Sequence, residues 1–314
     1  HVNNKRSFGL NSGCLAVGLG RGQVLKQVIR TLVQPGELVI NTSAQDRELH
    51  EILAASGAKT VSLSMLDEDF IPRLREILAV SRIKALYVRP QCSYPESYTM
   101  SDAACMELLE LAKEFGFYII EEDDYHEFWY EQSWKFEPLV CRDHQGHVIY
   151  LGSLSLVSPY LRHIRLVAAA AESLTLLRLQ PAESFGYRNI LEEKSIVDML
   201  RNGDLNERSR TVQTIKRNDL FEVYTEMYNY LSDVASVTRP LSGLSLYIKF
   251  QSDESLKGYM DHLEEQGFRI PYMPDSARPG PGILNIRLGY GTWDIKEAQD
   301  PAKVIQERYR SQGR

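Results

Sequence analysis

The sequence has no apolar run that approaches the ~20 residues a membrane-spanning helix requires. It also has no run of basic residues and no basic helix face, and its formal net charge is −6. Nucleic-acid binding relies on clustered Lys and Arg side chains that neutralise phosphates. We therefore expect this chain to contact neither a membrane nor nucleic acid directly.

Cysteine is scarce, and no two cysteines form the C-x-x-C spacing of a redox or zinc motif. In a chain of this length, four widely spaced cysteines predict reduced thiols in a cytosolic protein. The first six residues are polar and lack the apolar segment of a secretory signal. The only close histidine pair, His144 and His147, lies in a polar turn, so no metal site is expected. The sequence therefore predicts a cytoplasmic protein.

Residues 15–150 alternate short apolar runs with amphipathic stretches. The runs predict strands at 15–19, 38–41, 60–63, 85–88, 118–121 and 148–151, and the stretches between them predict helices at 23–33, 48–55, 71–80 and 102–115. Ser101 is a suitable N-cap for the last of these helices, and Gly116 is placed to end it. This order predicts an α/β fold with a mainly parallel sheet that helices cover on both faces.

The pattern changes after residue 170. A helical stretch at about 185–231 precedes strands at 244–250 and 283–288 and helices at 256–266 and about 294–311. Because helices and strands no longer alternate one for one, this part predicts an α+β domain. We expect a large domain at 1–204 and a small C-terminal domain at 205–314.

Two segments near predicted strand ends carry residues that bind anions or ring nitrogens. The glycine-rich turn at Gly20 and Arg21 opens a helix, where backbone N–H groups can hold a phosphate. It could equally be an ordinary strand–helix turn. Asp123 and Tyr125 share one face at the end of the 118–121 strand, where open α/β sheets bind ligands. The alternative is that the four acids at 121–124 form a solvated strand end.

Two further groups are candidates for anion binding. Ser153, Ser155 and Arg162 follow another strand and could together bind a phosphate dianion. Arg287 lies between apolar residues of a predicted strand, and a buried arginine requires a partner. That partner is either an internal carboxylate or the carboxylate of a ligand.

Several segments, taken in order, resemble one family. Residues 87–101 are similar to the motif Y-x-x-P…Y-P-T-G-x-x-M-S, and 108–125 resemble LLxLAxxxGxxIIEDDY. Residues 148–155 resemble VIYLGSFS, and 284–289 match a late LRLG strand. Residues 15–290 therefore resemble fold-type-I, pyridoxal-phosphate (PLP) aminotransferases of class I/II, above all the aminotransferase-like domain of MocR/GntR regulators.

The resemblance implies the aspartate-aminotransferase fold, with a seven-stranded sheet in the large domain and a homodimer as the assembly. It implies that Asp123 pairs with the pyridine nitrogen and Tyr125 with the ring hydroxyl. It further implies that Ser153, Ser155 and Arg162 face the phosphate, with the Gly20 and Arg21 turn as the other wall. Arg287 would bind the α-carboxylate of a substrate.

The chain departs from the family where catalysis would occur. The family reads G-S-F-S-K, and its lysine forms the Schiff base, whereas the corresponding residue here is Leu156. The ring-stacking tyrosine falls near Asp46, and the small polar residues after the phosphate-loop glycine are replaced by Arg21 and Gly22. The family's winged-helix DNA-binding domain has no counterpart in these residues, so we expect a fragment or a cut-down relative.

These departures favour an aminotransferase by ancestry that is catalytically silent. Such a domain would bind a small anionic ligand, either an amino acid or a PLP-like molecule, or would serve only in dimerisation. PLP would be held non-covalently if it is bound. The alternative is an active PLP-dependent aminotransferase with a lysine-free site, and ligand binding distinguishes these functions.

Overall fold

The computed structural model describes residues 12–66, 69–158, 161, 163–179, 190–265, 273–274 and 284–290. Seven strands form the first sheet: β1 (Leu15–Leu19), β2 (Leu38–Asn41), β3 (Lys59–Ser62), β4 (Ile83–Val88), β5 (Tyr118–Asp123), β6 (Val148–Ser153) and β7 (Ile164–Ala168). Their order is β1-β7-β6-β5-β4-β2-β3. Neighbouring strands run parallel from β6 through β5, β4 and β2 to β3. Strand β7 is antiparallel to both β6 and β1. The predicted, mainly parallel seven-stranded sheet is confirmed.

Helices cover both faces of this sheet. They are α1 (Arg21–Leu32), α2 (Arg47–Ala55), α3 (Phe70–Val80), α4 (Asp102–Phe115) and α5 (Ala171–Leu179). Apolar side chains of α3 and α4 form one buried cluster with the sheet, and those of α1, α2 and α5 form another. From Ala85 to Val88, successive residues of β4 alternate between the two clusters, as the two faces of a strand require. The sheet is therefore the middle layer of three.

The second sheet is antiparallel and has the order β10-β11-β9-β8. Its strands are β8 (Ala235–Thr238), β9 (Ser245–Phe250), β10 (Met273–Pro274) and β11 (Leu284–Gly289), with helices α6 (Ile190–Asn202), α7 (Asp204–Leu231) and α8 (Asp253–Glu265). The predicted helical stretch at 185–231 is two helices in its described part. Gly203 separates them with a φ of 83°, a left-handed conformation that glycine adopts without strain. The predicted helix at 294–311 lies outside the described residues.

Four of the described strands and helices, β7, β8, β10 and α5, have no counterpart among the predicted ones. Strand β7 begins at Ile164, two residues after the predicted phosphate-binding arginine, and it returns antiparallel to β6. None of the helices in the described ranges combines the length and apolarity needed to cross a lipid bilayer.

Candidate functional site

The carboxyl ends of β4, β5 and β6 meet at one edge of the first sheet, because these three strands are parallel neighbours. Arg89 follows β4, Asp123 ends β5 and Ser153 ends β6. In β-structure the side chains of consecutive residues point to opposite faces, so Glu122 and Asp123 have different surroundings. The candidate site consists of the side chains that these strand ends and the start of α1 bring together.

Asp123 is a buried carboxylate. Its Oδ2 accepts a hydrogen bond from the Tyr150 hydroxyl at 2.8 Å and lies 3.2 Å from Nδ1 of His126. Its Oδ1 accepts the backbone N–H of Tyr125 at 3.2 Å. Glu121 and Glu122 are also buried, so the alternative of a solvated strand end is wrong. A buried carboxylate fits the role that the resemblance gives Asp123.

Tyr125 and Arg287, predicted from distant segments, are in contact. Nη2 of Arg287 donates to the Tyr125 hydroxyl at 3.1 Å, and its Nε donates to Oγ of Ser245 at 2.7 Å. The guanidinium carbon also lies 4.8 Å from the centroid of the Tyr94 ring. Burial raises the pKa of the Tyr125 hydroxyl. Within the described residues no carboxylate forms an ion pair with Arg287, so its contacts there are neutral.

The loop after β6 is a short turn whose two serines bond each other. Oγ of Ser153 donates to Oγ of Ser155 at 2.8 Å, and the Ser155 N–H donates back to Oγ of Ser153 at 3.1 Å. Leu156 follows in the same turn and is 39% exposed. Arg162, the third predicted phosphate ligand, lies outside the described residues.

Gly20 and Arg21 form the start of α1. Gly20 has a φ of 74°, and its N–H donates to the carbonyl of His163 at 2.6 Å. The Arg21 guanidinium is surrounded by acids: its Nε lies 2.7 Å from Oε1 of Glu122, its Nη1 2.6 Å from Oε2 of Glu48, and its Nη2 2.5 Å from Oδ2 of Asp46. Arg21 is thus held by three carboxylates of the chain itself.

These carboxylates also bind a second arginine. Nη2 of Arg89 lies 2.9 Å from both Asp46 and Glu122, and its Nε donates to the Tyr87 hydroxyl at 2.8 Å. The Tyr87 hydroxyl in turn donates to Glu122. We call the connected group the Arg21 cluster, and its members are Arg21, Asp46, Glu48, Tyr87, Arg89, Glu122, Asp124 and Arg165.

The cluster holds three arginines and four carboxylates, so its formal charge is −1. Burial raises the pKa of Glu122, but the guanidiniums of Arg89 and Arg21 outweigh this and hold that pKa well below its ordinary range. Glu122 is therefore ionised at neutral pH and balances the buried arginines.

Most of this cluster is not indicated by the sequence. The resemblance places Arg21 against a ligand phosphate, and it points to Asp46 only as the residue near the family's ring-stacking tyrosine. The alternation of side chains along β5 does indicate that Glu122 and Asp123 have different partners, since adjacent strand residues face opposite layers. The pairing of Arg21 with Glu122 spans 101 residues, and no local pattern indicates it.

No protein-family model matches the chain. A Bacillus subtilis protein named as the uncharacterized HTH-type transcriptional regulator YisV is 22% identical over 99% of this chain and 63% of its own length. The 2-aminoadipate transaminase of Thermus thermophilus is 27% identical over 70% of this chain and 56% of its own length. The chain spans less than two thirds of the length of these curated relatives.

Solved structures agree over nearly the whole chain. LysN, an α-aminoadipate aminotransferase from Thermus thermophilus complexed with N-(5′-phosphopyridoxyl)-L-leucine, superposes with a TM-score of 0.82. It is 20% identical, and the match covers 99% of this chain and 80% of that one. The aminotransferase Aro8 from Candida albicans gives a TM-score of 0.84 at 16% identity, over 99% and 75% of the two chains.

The chain has the aminotransferase fold. Its relatives include aminotransferases and MocR/GntR-type regulators, so the resemblance drawn from the sequence motifs is confirmed. PLP dependence is a property of that family.

The residues of this chain fit PLP at one end of the site and not at the other. Asp123 offers the buried carboxylate that a protonated ring nitrogen needs. At the start of α1, however, Arg21 already has carboxylate partners, and the surrounding cluster is negative overall. A phosphate dianion is repelled by such a group. Among the described residues, the phosphate end of the site therefore does not fit the cofactor.

Proposed function

We propose that this chain is a catalytically silent, aminotransferase-fold domain that binds a small carboxylate ligand at Arg287 and acts in regulation. The observation that carries the proposal is that, among the described residues, the Arg287 guanidinium has only neutral partners, namely Ser245, Tyr125 and the Tyr94 ring. A partly buried guanidinium without an acid partner favours a bound anion, and a carboxylate can take two parallel hydrogen bonds from it.

Catalytic silence is supported by the residue that follows Ser155. We assign the position of the family's Schiff-base lysine to Leu156, whose side chain has no nitrogen and can neither form a covalent link nor move a proton. Loss of a residue that serves as both nucleophile and proton carrier reduces turnover by many orders of magnitude. We infer that the domain retains a ligand site but carries out no transamination.

A regulatory role is supported by the names of two relatives, which are HTH-type transcriptional regulators. We propose that the functional unit is a cytoplasmic homodimer and that the chain itself makes no direct contact with DNA. Its partners would be an amino acid or similar small anion and a second copy of the chain.

The decisive experiment has two parts. The first adds PLP to the purified protein and records the near-ultraviolet spectrum before and after borohydride reduction. We expect no internal-aldimine band and no single reduced lysine adduct. A stoichiometric aldimine at one lysine would overturn the silent assignment and restore the alternative of an active aminotransferase.

The second part measures ligand binding by thermal shift and calorimetry, with L-leucine and L-2-aminoadipate as probes. 3-Methylbutylamine, which is leucine without its carboxylate, is the matched probe. For any amino acid that binds, Arg287→Met should weaken the binding by about tenfold to a hundredfold. This is the loss expected when a charged hydrogen bond of roughly 1.5–3 kcal/mol is removed. Arg210→Met, at an exposed helix position, is the control and should bind normally. Equal binding of leucine and 3-methylbutylamine would exclude a carboxylate site at Arg287.

A further inference from the structure

The Arg21 cluster stands where the resemblance puts one wall of the phosphate site. Arg21 is the first residue of α1, directly after the Gly20 turn, and a helix start is where phosphates bind in proteins. Here the guanidinium is directed to the acids of the chain rather than left for a ligand. Its side chain is 17% exposed, and those of Asp46 and Glu122 are 9% and 1% exposed.

The acids that hold Arg21 come from the start of α2 and the end of β5. Asp46 is the N-cap of α2, where its carboxylate also accepts the Leu49 N–H at 3.1 Å. Glu48 lies in the first turn of α2, and its carboxylate occupies the space that a Cβ atom at residue 22 would fill. Gly22 thus permits an acid to lie against the start of α1. The cluster thereby ties α1, α2, β4 and β5 together at one point.

We propose that the Arg21 cluster closes the phosphate end of the ancestral cofactor site, so that the domain keeps its fold without PLP. The carboxylates of Asp46, Glu48 and Glu122 hold Arg21 at the helix start, where a phosphate would otherwise lie. A phosphate group would have to displace at least one of these ion pairs and enter a group of net charge −1. Breaking a buried ion pair is strongly unfavourable, because it leaves a charge without its partner.

Two probes test the proposal: inorganic phosphate and pyridoxine 5′-phosphate. The second has the ring and phosphate of the cofactor but no aldehyde, so it cannot form adducts with surface lysines. Binding is measured by calorimetry and thermal shift at constant ionic strength. We expect the unmodified protein to bind neither probe.

The variant Asp46→Asn/Glu48→Gln removes two negative charges from the cluster. Asparagine is as good an N-cap as aspartate, and Glu48 is half exposed, so α2 should still form. Glu122 continues to hold Arg21, while Nη1 of Arg21 is released. We expect this variant to bind phosphate at least about tenfold more tightly than the unmodified protein, since two nearby like charges are gone.

Glu107→Gln/Glu110→Gln is the matched control, because it removes two exposed acids of α4 that lie outside the cluster. It should bind no better than the unmodified protein. The proposal is overturned if the unmodified protein binds either probe as tightly as Asp46→Asn/Glu48→Gln does, or if that variant folds and gains no binding. Should the double variant fail to fold, Glu48→Gln alone, which leaves the Asp46 cap in place, must show the gain.

This outcome is independent of the ligand site at Arg287. Non-covalent binding of pyridoxine 5′-phosphate by the unmodified protein, as tight as that by Asp46→Asn/Glu48→Gln, would exclude a closed phosphate end, yet a silent domain with a carboxylate site would remain. Conversely, a result that excludes a carboxylate site at Arg287 would not affect the proposal that the phosphate end is closed.

Discussion

At the scale of single residues, the four acids at the end of β5 show how position decides chemistry. Glu121 accepts two backbone N–H groups, Glu122 belongs to the Arg21 cluster, Asp123 accepts the Tyr150 hydroxyl, and Asp124 pairs with an arginine. Each acid has its own partners, which is why a run of four can lie at a strand end and leave three of its members buried.

Glu121 makes the stability of the protein depend on pH. Burial raises the pKa of its carboxyl to about 8, although the N–H groups of Leu139 and Val140 act in the opposite direction. Because the folded state binds this proton more tightly than the unfolded state does, the stabilisation is complete below the ordinary pKa of 4.5 and is lost as the pH rises through about 8.

Glu121→Gln should therefore remove part of the pH dependence. Between pH 6 and 8 we expect the free energy of unfolding of the unmodified protein to fall relative to that of the variant, by up to about 1.4 kcal/mol per pH unit. Urea unfolding at several pH values measures this. Glu114→Gln, an exposed neutralisation on α4, should leave the slope unchanged. Parallel pH profiles for the unmodified protein and Glu121→Gln would contradict the assignment.

At the scale of elements, the sequence predicts best where local chemistry and periodicity agree. Helix α4 is such a case: Oγ of Ser101 accepts the Ala104 N–H at 3.2 Å, and Gly116 ends the helix with a φ of 71°. Both caps and both bounds were predicted, because capping is a local interaction.

Elements determined by distant packing are harder to predict. Strand β7 pairs with β6 and β1, and no local pattern in the sequence indicates these partners. The helical stretch before residue 231 was predicted as one helix, because a lone glycine at 203 is tolerated in many helices. The candidate site likewise contains residues that local sequence predicts and residues that it does not. Asp123 and Tyr125 follow from the strand pattern, whereas the partners of Arg21 depend on how the chain folds in three dimensions.

The cap of α4 can be tested directly. Ser101→Ala removes the acceptor for the Ala104 N–H, and we expect a loss of about 1 kcal/mol in the free energy of unfolding. Ser101→Asn supplies another side-chain acceptor and should restore most of it. Urea denaturation of the three proteins provides the comparison. Equal midpoints for all three would mean that the cap contributes nothing.

At the scale of the whole molecule, the two sheets share a buried core. Phe128, Tyr130 and Leu154, which follow strands of the first sheet, pack in one cluster with residues of α7 and of the second sheet. The Tyr130 hydroxyl also donates to the Gly243 carbonyl at 2.7 Å, and the Ser242 hydroxyl donates to the Gln91 carbonyl at 2.9 Å. The domain boundary between 204 and 205 stays a prediction, but these contacts indicate that the two parts stabilise each other.

We therefore expect the chain to unfold in one cooperative transition. Tryptophan fluorescence and far-ultraviolet circular dichroism should give the same urea midpoint, since coincident transitions are the sign of two-state unfolding. Trp129 is a suitable reporter because it is bridged to Ser242 of the second part. Tyr130→Phe, which removes one hydrogen bond to Gly243, should lower both midpoints together at a cost of about 1 kcal/mol. If only one probe shifts, or if two separate transitions appear, the parts fold independently. The shared core would then be an ordinary domain contact, and the closed phosphate end would stabilise the large domain alone.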